Sequence, residues 1–178
     1  MEDILILVDE NDNPIGYGTK MDVHRKEQLH RAFSLFIYDK SKKQVLLHKR
    51  ALGKYHSGGL WTNSCCSHPR KDEELVESVI RRTKEELGFD IEPYKNKLKE
   101  LGKFHYYKKF DDCAENEIDH VFLLGIDCQP DLKVNSDEIA EIQWFGLEEI
   151  FQSLEDNPDK FTAWFSKAFE YFMAEISR

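Results

Sequence analysis

Three segments, far apart along the chain, are rich in side chains that hold metal ions. His24 and His30 lie in the first, Cys66 and His68 in the second, and Glu115 and Glu117 in the third. Side chains alternate between faces along a strand, so Glu115 and Glu117 fall on the same face if their segment is extended. Three imidazoles and two carboxylates suit a borderline divalent ion such as zinc, manganese or iron. Each pair taken alone is also what a solvated strand or a surface histidine offers. His48, His56, His105 and His120 are read in that ordinary way.

A second pattern sits on a helix. Glu73, Arg81, Glu85, Glu86 and Gly88 stand at the spacing of the Nudix signature, G-x5-E-x7-R-E-U-x-E-E-x-G-U. Ser67 replaces its first glycine, and Arg82 replaces the glutamate that follows Arg81. In a Nudix hydrolase this helix resembles a rack of carboxylates for magnesium ions on a diphosphate, and here one acid of the rack has become a cation. Arg82 and Glu86 are four apart and share a helix face. A guanidinium can fork onto a phosphate while Glu86 still holds magnesium. A surface helix laced with ion pairs is the bland alternative.

The elements that must position these residues are readable in outline. Ile4 to Val8 reads as a strand, and Asn11 to Pro14 as a turn. Ala32 to Tyr38 and Gln44 to His48 form an expected hairpin across the polar turn Asp39 to Lys43. Lys54 to Gly59 is a loop closed by the Gly58–Gly59 pair. Asp72 to Leu87 is the clearest helix, with Leu75, Val76, Val79, Ile80, Thr83 and Leu87 as its apolar stripe, Asp72 as its cap and Gly88 as its stop. Leu101 to Phe110, Glu117 to Ile126 and Ile142 to Phe145 read as strands, and Pro158 to Ile176 as an aromatic-rich helix. This order predicts an α/β (mixed α+β) fold, a mixed sheet with helices on its faces.

The 178 residues, 40% hydrophobic, suit a single domain spanning 1–178. No apolar run is long enough to span a bilayer. The first ten residues lack the basic start of a secretory leader, so a cytoplasmic protein is expected. The four cysteines form no C-x-x-C pair and are expected as free thiols. A net charge of −9 argues against nucleic-acid or anionic-membrane partners. An anion can still bind where local cations or a metal reverse the field.

Taken together, the segments resemble one family, the type 1 isopentenyl-diphosphate isomerases, a branch of the Nudix superfamily. The matching stretches are Lys20 to Ser34, Lys49 to Ala51, Trp61 to Pro69, Arg81 to Gly88, Phe104 to Tyr106, Glu115 to Phe122, and Trp164. The Trp61-to-Pro69 block is the most specific, and the matches run in order over nearly the whole chain. The Tyr106 to Glu115 interval is one residue shorter than the family pattern.

The resemblance implies a Nudix-like α/β/α sandwich and an enzyme that interconverts isopentenyl and dimethylallyl diphosphate through a tertiary carbocation. It places a divalent metal (manganese, zinc or magnesium) on His24, His30, His68, Glu115 and Glu117, and a second magnesium on Glu86 at the diphosphate. Glu117 with its partner Tyr106 becomes the candidate acid. Cys66 becomes the opposing base, its thiolate favoured by cationic neighbours, while Cys65 occupies a position that tolerates an apolar residue. Trp164, with Trp61 contributing, is implied to face the carbocation. Lys20, Arg50, Lys54 and Arg82 are implied to bind the diphosphate. The competing readings are a Nudix diphosphohydrolase and a non-catalytic diphosphate-binding relative. A monomer or weak homodimer is expected.

Overall fold

The computed structural model describes residues 3–178, so the first two residues of the expected domain lie outside the described part. Its centre is β3 (His30–Asp39), flanked by β1 (Ile4–Val8), β4 (Gln44–Arg50), β6 (Cys65–Ser67) and β8 (Ala114–Ile126). The mixed sheet is completed by β2 (Pro14–Thr19), β5 (Trp61–Thr62), β7 (Leu98–Lys109) and β9 (Ile139–Gly146). Strands β3 and β8 run parallel over a ten-residue register from His30↔Glu117 to Asp39↔Ile126. A strand paired this way is covered on both faces, which is why β3 reads as the nearly unbroken apolar run Ala-Phe-Ser-Leu-Phe-Ile.

Helices cover both faces. Helix α2 (Leu75–Leu87) packs Val79, Ile80 and Leu87 against Phe33, Leu35, Ile37 and Phe122. Helix α4 (Phe165–Ile176) lays Phe165, Phe169 and Phe172 on Phe36, Val45 and Val121. Phe36 and Phe172 stack at 5.0 Å, and rings 161, 165, 169 and 172 follow one another at 4.7–5.6 Å. Each such buried ring contributes about 1.5–3 kcal/mol of transfer free energy.

Several boundaries differ from expectation. Helix α2 begins at Leu75, not Asp72: Asp72 takes a left-handed φ of 62° in the turn before it. Glu73 there accepts from the Arg70 amide and from Arg81 Nε at 2.6 Å. Gly88 ends the helix in the left-handed region as expected, and its missing side chain matters because a Cβ would meet the Lys133 carbonyl at 2.7 Å. The tail helix begins at Phe165, not Pro158. Before it, Phe161 bridges Trp61 and the Thr162 amide donates to the Trp61 carbonyl, so the sheet edge takes up this segment. Helices α1 (Lys20–Arg25) and α3 (Leu147–Asp156), and strands β2, β5 and β6, have no counterpart in the sequence-based reading.

Candidate active site

The metal-ligand types gather first. Helix α1 sets His24 one turn after Lys20, and His24 Nδ1 donates to the Lys20 carbonyl at 2.6 Å. His30 Nδ1 donates to the Gln28 carbonyl at 2.8 Å. Both bonds fix the ring so that Nε2 is the free nitrogen, the usual way a ligating imidazole is oriented. The β3–β8 register places His30 beside Glu117, with Nε2 3.3 Å from Oε1. Strand alternation puts Glu115 on the same face, 3.4 Å from His24 Nε2. His68, just after β6, brings Nε2 to 2.7 Å from Glu117 Oε1. Ligand atoms of His24, His30, His68, Glu115 and Glu117 all lie within 4.8 Å of one another.

These five residues fit a divalent cation. All are buried, yet His30 Nε2 and Glu115 Oε2 have no hydrogen-bond partner in the protein. Orphaned buried polar atoms are costly and rare, and an ion among them removes the cost. Burial works to raise the Glu115 carboxyl, but hydrogen bonds with Glu117, His24 and His56 outweigh it and hold it well below the carboxylate range. Burial also holds His68 well below the usual imidazole value, the neutral form a metal needs.

Strand β6 sorts the two adjacent cysteines. Pairing Ser34↔Cys66 and Leu35↔Cys65 turns them to opposite faces. Cys65 enters the core under α2, its thiol 3.6 Å from Glu86 Oε2. Cys66 lines a half-open pocket of about 550 Å³ together with Glu117, Tyr106 and Trp164. Burial pushes the Cys66 thiol up to about 12, with Arg50 pulling the other way. The expected thiolate therefore does not describe the free site: desolvation outweighs its cationic neighbours, and Cys66 keeps its proton.

Tyr106 stands directly across β7–β8 from Glu117 and donates its phenol to Glu117 Oε2 at 2.7 Å. The shortened interval before Glu115 is absorbed by the hairpin turn, because the register still pairs the two residues. Trp164, 4% exposed, is held by its Nε1 donating to Asn63 Oδ1 at 3.2 Å, with the Arg50 guanidinium 5.6 Å from its ring. Trp61 is a different case. It does not line the pocket; its ring packs edge-on against Phe145 at 5.1 Å because β5 lies at the sheet edge beside β4.

Lys20, Arg50, Lys54, Arg82 and Glu86 line the same pocket. Burial, then repulsion from Lys54 and Arg82, holds the Lys20 ammonium below its ordinary value, so an anion there is favoured. The Nε groups of Arg50 and Arg82 are buried without partners. Glu86 is fully engaged, Oε1 with Arg82 and Oε2 with Cys65.

Other site residues escaped the sequence reading. Glu138 pairs with Lys54 at 2.5 Å and with Arg82 at 3.5 Å. Asp119, one alternation beyond Glu117, accepts from Ser34 Oγ at 2.7 Å. Burial and then Glu117 raise its carboxyl well above the usual range. The spacing Glu115, Glu117, Asp119 was the available signal. His56, read as ordinary, touches Glu115 Oε1. The ordinary reading holds for His48, bonded to the Ser64 carbonyl, for His105 on Asn116, and for His120 in an ion cluster.

The NUDIX domain model matches residues 28–165. The chain is 45% identical over 168 residues to a Photorhabdus laumondii protein named isopentenyl-diphosphate Delta-isomerase 2, covering 94% of this chain and 90% of that one. It is 44% identical to an Aromatoleum aromaticum protein of the same name, covering 92% and 83%. Among solved structures it resembles a Deinococcus radiodurans protein, with a TM-score of 0.69 at 20% identity over 86% of this chain and 90% of that one. A MutT protein from Methanosarcina mazei gives a TM-score of 0.64 at 23% identity over 84% and 96%.

Proposed function

We propose how this chain, which belongs to the NUDIX family and within it to the isopentenyl-diphosphate Delta-isomerases, uses its pocket for that reaction. The chain interconverts isopentenyl and dimethylallyl diphosphate. An unactivated alkene is a weak base, so the reaction needs an acid held close in a site shielded from water, with a base to remove the second proton. The observation that carries the assignment is that Cys66 and the Tyr106–Glu117 pair line one pocket together with Lys20, Arg50, Lys54 and Arg82.

Glu117 and Cys66 exchange the two protons. One of them protonates an alkene carbon, leaving a tertiary cation, and the other takes a proton from the neighbouring carbon; the roles reverse with direction. Tyr106 orients the Glu117 carboxyl and can relay its proton. Trp164 presents an aromatic face to the cation, an attraction on the order of 2 kcal/mol in a desolvated site. Trp61 has no part in this. His24, His30, His68, Glu115 and Glu117 would hold a divalent ion, whether manganese, zinc or magnesium, which would supply fixed positive charge beside the Glu117 carboxyl. The cationic side chains bind the diphosphate, so binding energy remote from the alkene positions it. Glu86 would hold a magnesium ion at the diphosphate once Arg82, now engaged with it, turned to the phosphate.

The reading takes residues 1–178 as one domain, acting in the cytoplasm as a monomer or weak homodimer on a small diphosphate, with no nucleic-acid or membrane partner. Among the described residues no helix is long and apolar enough to cross a membrane. A hydrolase is disfavoured because Arg82, where the rack needs an acid, is ion-paired to Glu85 and Glu86. The direct test incubates the protein with isopentenyl diphosphate under reducing conditions, with divalent metal or with chelator. Dimethylallyl diphosphate should form only with metal. Absence of conversion in the metal-replete sample, or phosphate release instead, sinks the reading.

A further inference from the structure

Three consecutive residues of the loop between β4 and β5 each engage a different part of the site. Lys54 lines the pocket and pairs there with Glu138. Tyr55 brings its hydroxyl to 3.3 Å from His24 Nε2. His56 brings Nε2 into contact with Glu115 Oε1. The side chain of His56 is 2% exposed. Its ring stacks on Phe110 at 4.5 Å and 17°, and meets Trp164 edge-on at 6.1 Å. Its Nδ1 lies 3.0 Å from Ser57 Oγ, and its carbonyl accepts from Arg50 Nη2 at 3.3 Å.

The loop is built to hold this residue in place. The Arg50 amide donates to the Leu60 carbonyl and the Gly59 amide to the Arg50 carbonyl, both at 2.9 Å, closing the loop at its base. Gly58 has no room for a side chain, since a Cβ would lie 2.7 Å from the Leu52 carbonyl. Gly59 sits at φ 78°, and Ser57, next to His56, is held at φ 52°. Such strain persists only where surrounding contacts impose it.

We propose that His56 is a positioning residue that clamps Glu115 by one oxygen and ties the loop carrying Lys54 to the metal ligands, so that metal and diphosphate binding support each other. This rests on the metal and diphosphate assignments above. His56 and His24 both approach Glu115 Oε1, which leaves Oε2, without a protein partner, for the ion. Outer-shell partners of this kind hold a carboxylate ligand in one orientation, and their loss typically weakens metal binding by about 10–100-fold. Lys54 lies on the same loop, and Arg50 at the end of β4 donates to the His56 carbonyl, so the two sites are coupled, and coupling between binding sites is reciprocal.

The test titrates metal-free protein with manganese by calorimetry and measures KM for isopentenyl diphosphate at saturating metal. Metal-free melting curves check folding. His56→Ala should weaken manganese binding by about 10–100-fold and raise KM, with kcat at saturation within about threefold of the parent. The amide nitrogen of Gln reaches the position of Nε2, whereas that of Asn stops near Nδ1. His56→Gln should therefore restore manganese affinity and KM while His56→Asn should not, and this contrast decides the matter even if the alanine variant is unstable. Unchanged manganese affinity and KM in His56→Ala, or equal behaviour of the Gln and Asn variants, overturns the clamp while the metal site stands. A parent protein that takes up no manganese overturns both.

Discussion

Two clusters of charge, each built around buried groups, flank β8, and they are finished differently. On one face lie His24, His30, His68, Glu115 and Glu117. On the other, His120 joins Asp12, Arg31, Lys103 and Glu100. In the second cluster each polar group has its counterpart. Arg31 Nε binds Asp12 Oδ1 at 2.8 Å, Lys103 Nζ and His120 Nε2 bind Oδ2 at 2.9 and 2.8 Å, and His120 Nδ1 binds Glu100 at 2.6 Å. In the first cluster, imidazoles crowd two carboxylates, and His30 Nε2 and Glu115 Oε2 are left without a hydrogen-bond partner. A self-satisfied ion cluster joins elements of the fold, here the β1–β2 turn to β3, β7 and β8. An unsatisfied one is a site held in readiness for something the chain does not itself supply.

The largest effect expected from this contrast is on turnover. Cys66→Ala should lower kcat by about 10²–10⁴-fold, the usual contribution of a positioned acid or base, while leaving the melting temperature nearly unchanged. Cys65→Ala, one residue away but in the core under α2, should spare kcat and lower the melting temperature instead. Steady-state kinetics beside thermal melts of both variants checks this, and equal loss of turnover would break the assignment of faces. A smaller effect sharpens the claim of unsatisfied ligands. Manganese at about 100 times its dissociation constant should stabilise the protein by about 2.7 kcal/mol. That rise in melting temperature should vanish in His68→Ala, and in Asp12→Asn it should persist.

What the sequence made legible follows the same division. Helix α2 could be read because thirteen residues carry a full apolar period, and β3 because a doubly covered strand is apolar throughout. Helix α1, six residues long, is too short for a period to show, yet it aims Lys20 and His24. Strands β5 and β6 have two and three residues and are specified by their partners, β4 and β3. The five side chains that could hold a metal were singled out through family resemblance, and the β3–β8 register explains how segments so far apart meet. His56 was not legible: one histidine in a glycine-rich loop carries no periodic or spacing signal, and only the folded loop brings it to Glu115. Trp61 misled in the opposite way, since its block is highly specific although its ring faces Phe145. The charge state of Cys66 was not legible, because cationic neighbours are visible in sequence and depth of burial is not.

The smallest expected effect belongs to the satisfied cluster and works through pH. Burial alone would raise the Asp12 carboxyl, but hydrogen bonds from Arg31 and Lys103 and the charges of His120 and Arg31 outweigh it and lower its pKa. A carboxyl whose folded value lies below its unfolded one stabilises the fold at pH values above the unfolded value, about 3.9, and that stability is lost as pH falls through the folded value. Near neutrality Asp12→Asn should therefore cost about 2 kcal/mol, less than the 3–5 kcal/mol of a fully buried pair because Lys103 is half exposed. The difference from the parent should begin to shrink as the pH drops below about 4, where the unfolded parent's carboxyl takes up its proton, and should shrink further toward the lower folded value. Melting temperatures of the two proteins across pH 3–7, with kcat at pH 7 unchanged in the variant, make the measurement. A deficit that stays constant into acid would mean that Asp12 contributes through shape and uncharged hydrogen bonding. The cluster would then be no ionic counterpart to the metal-ligand face of β8.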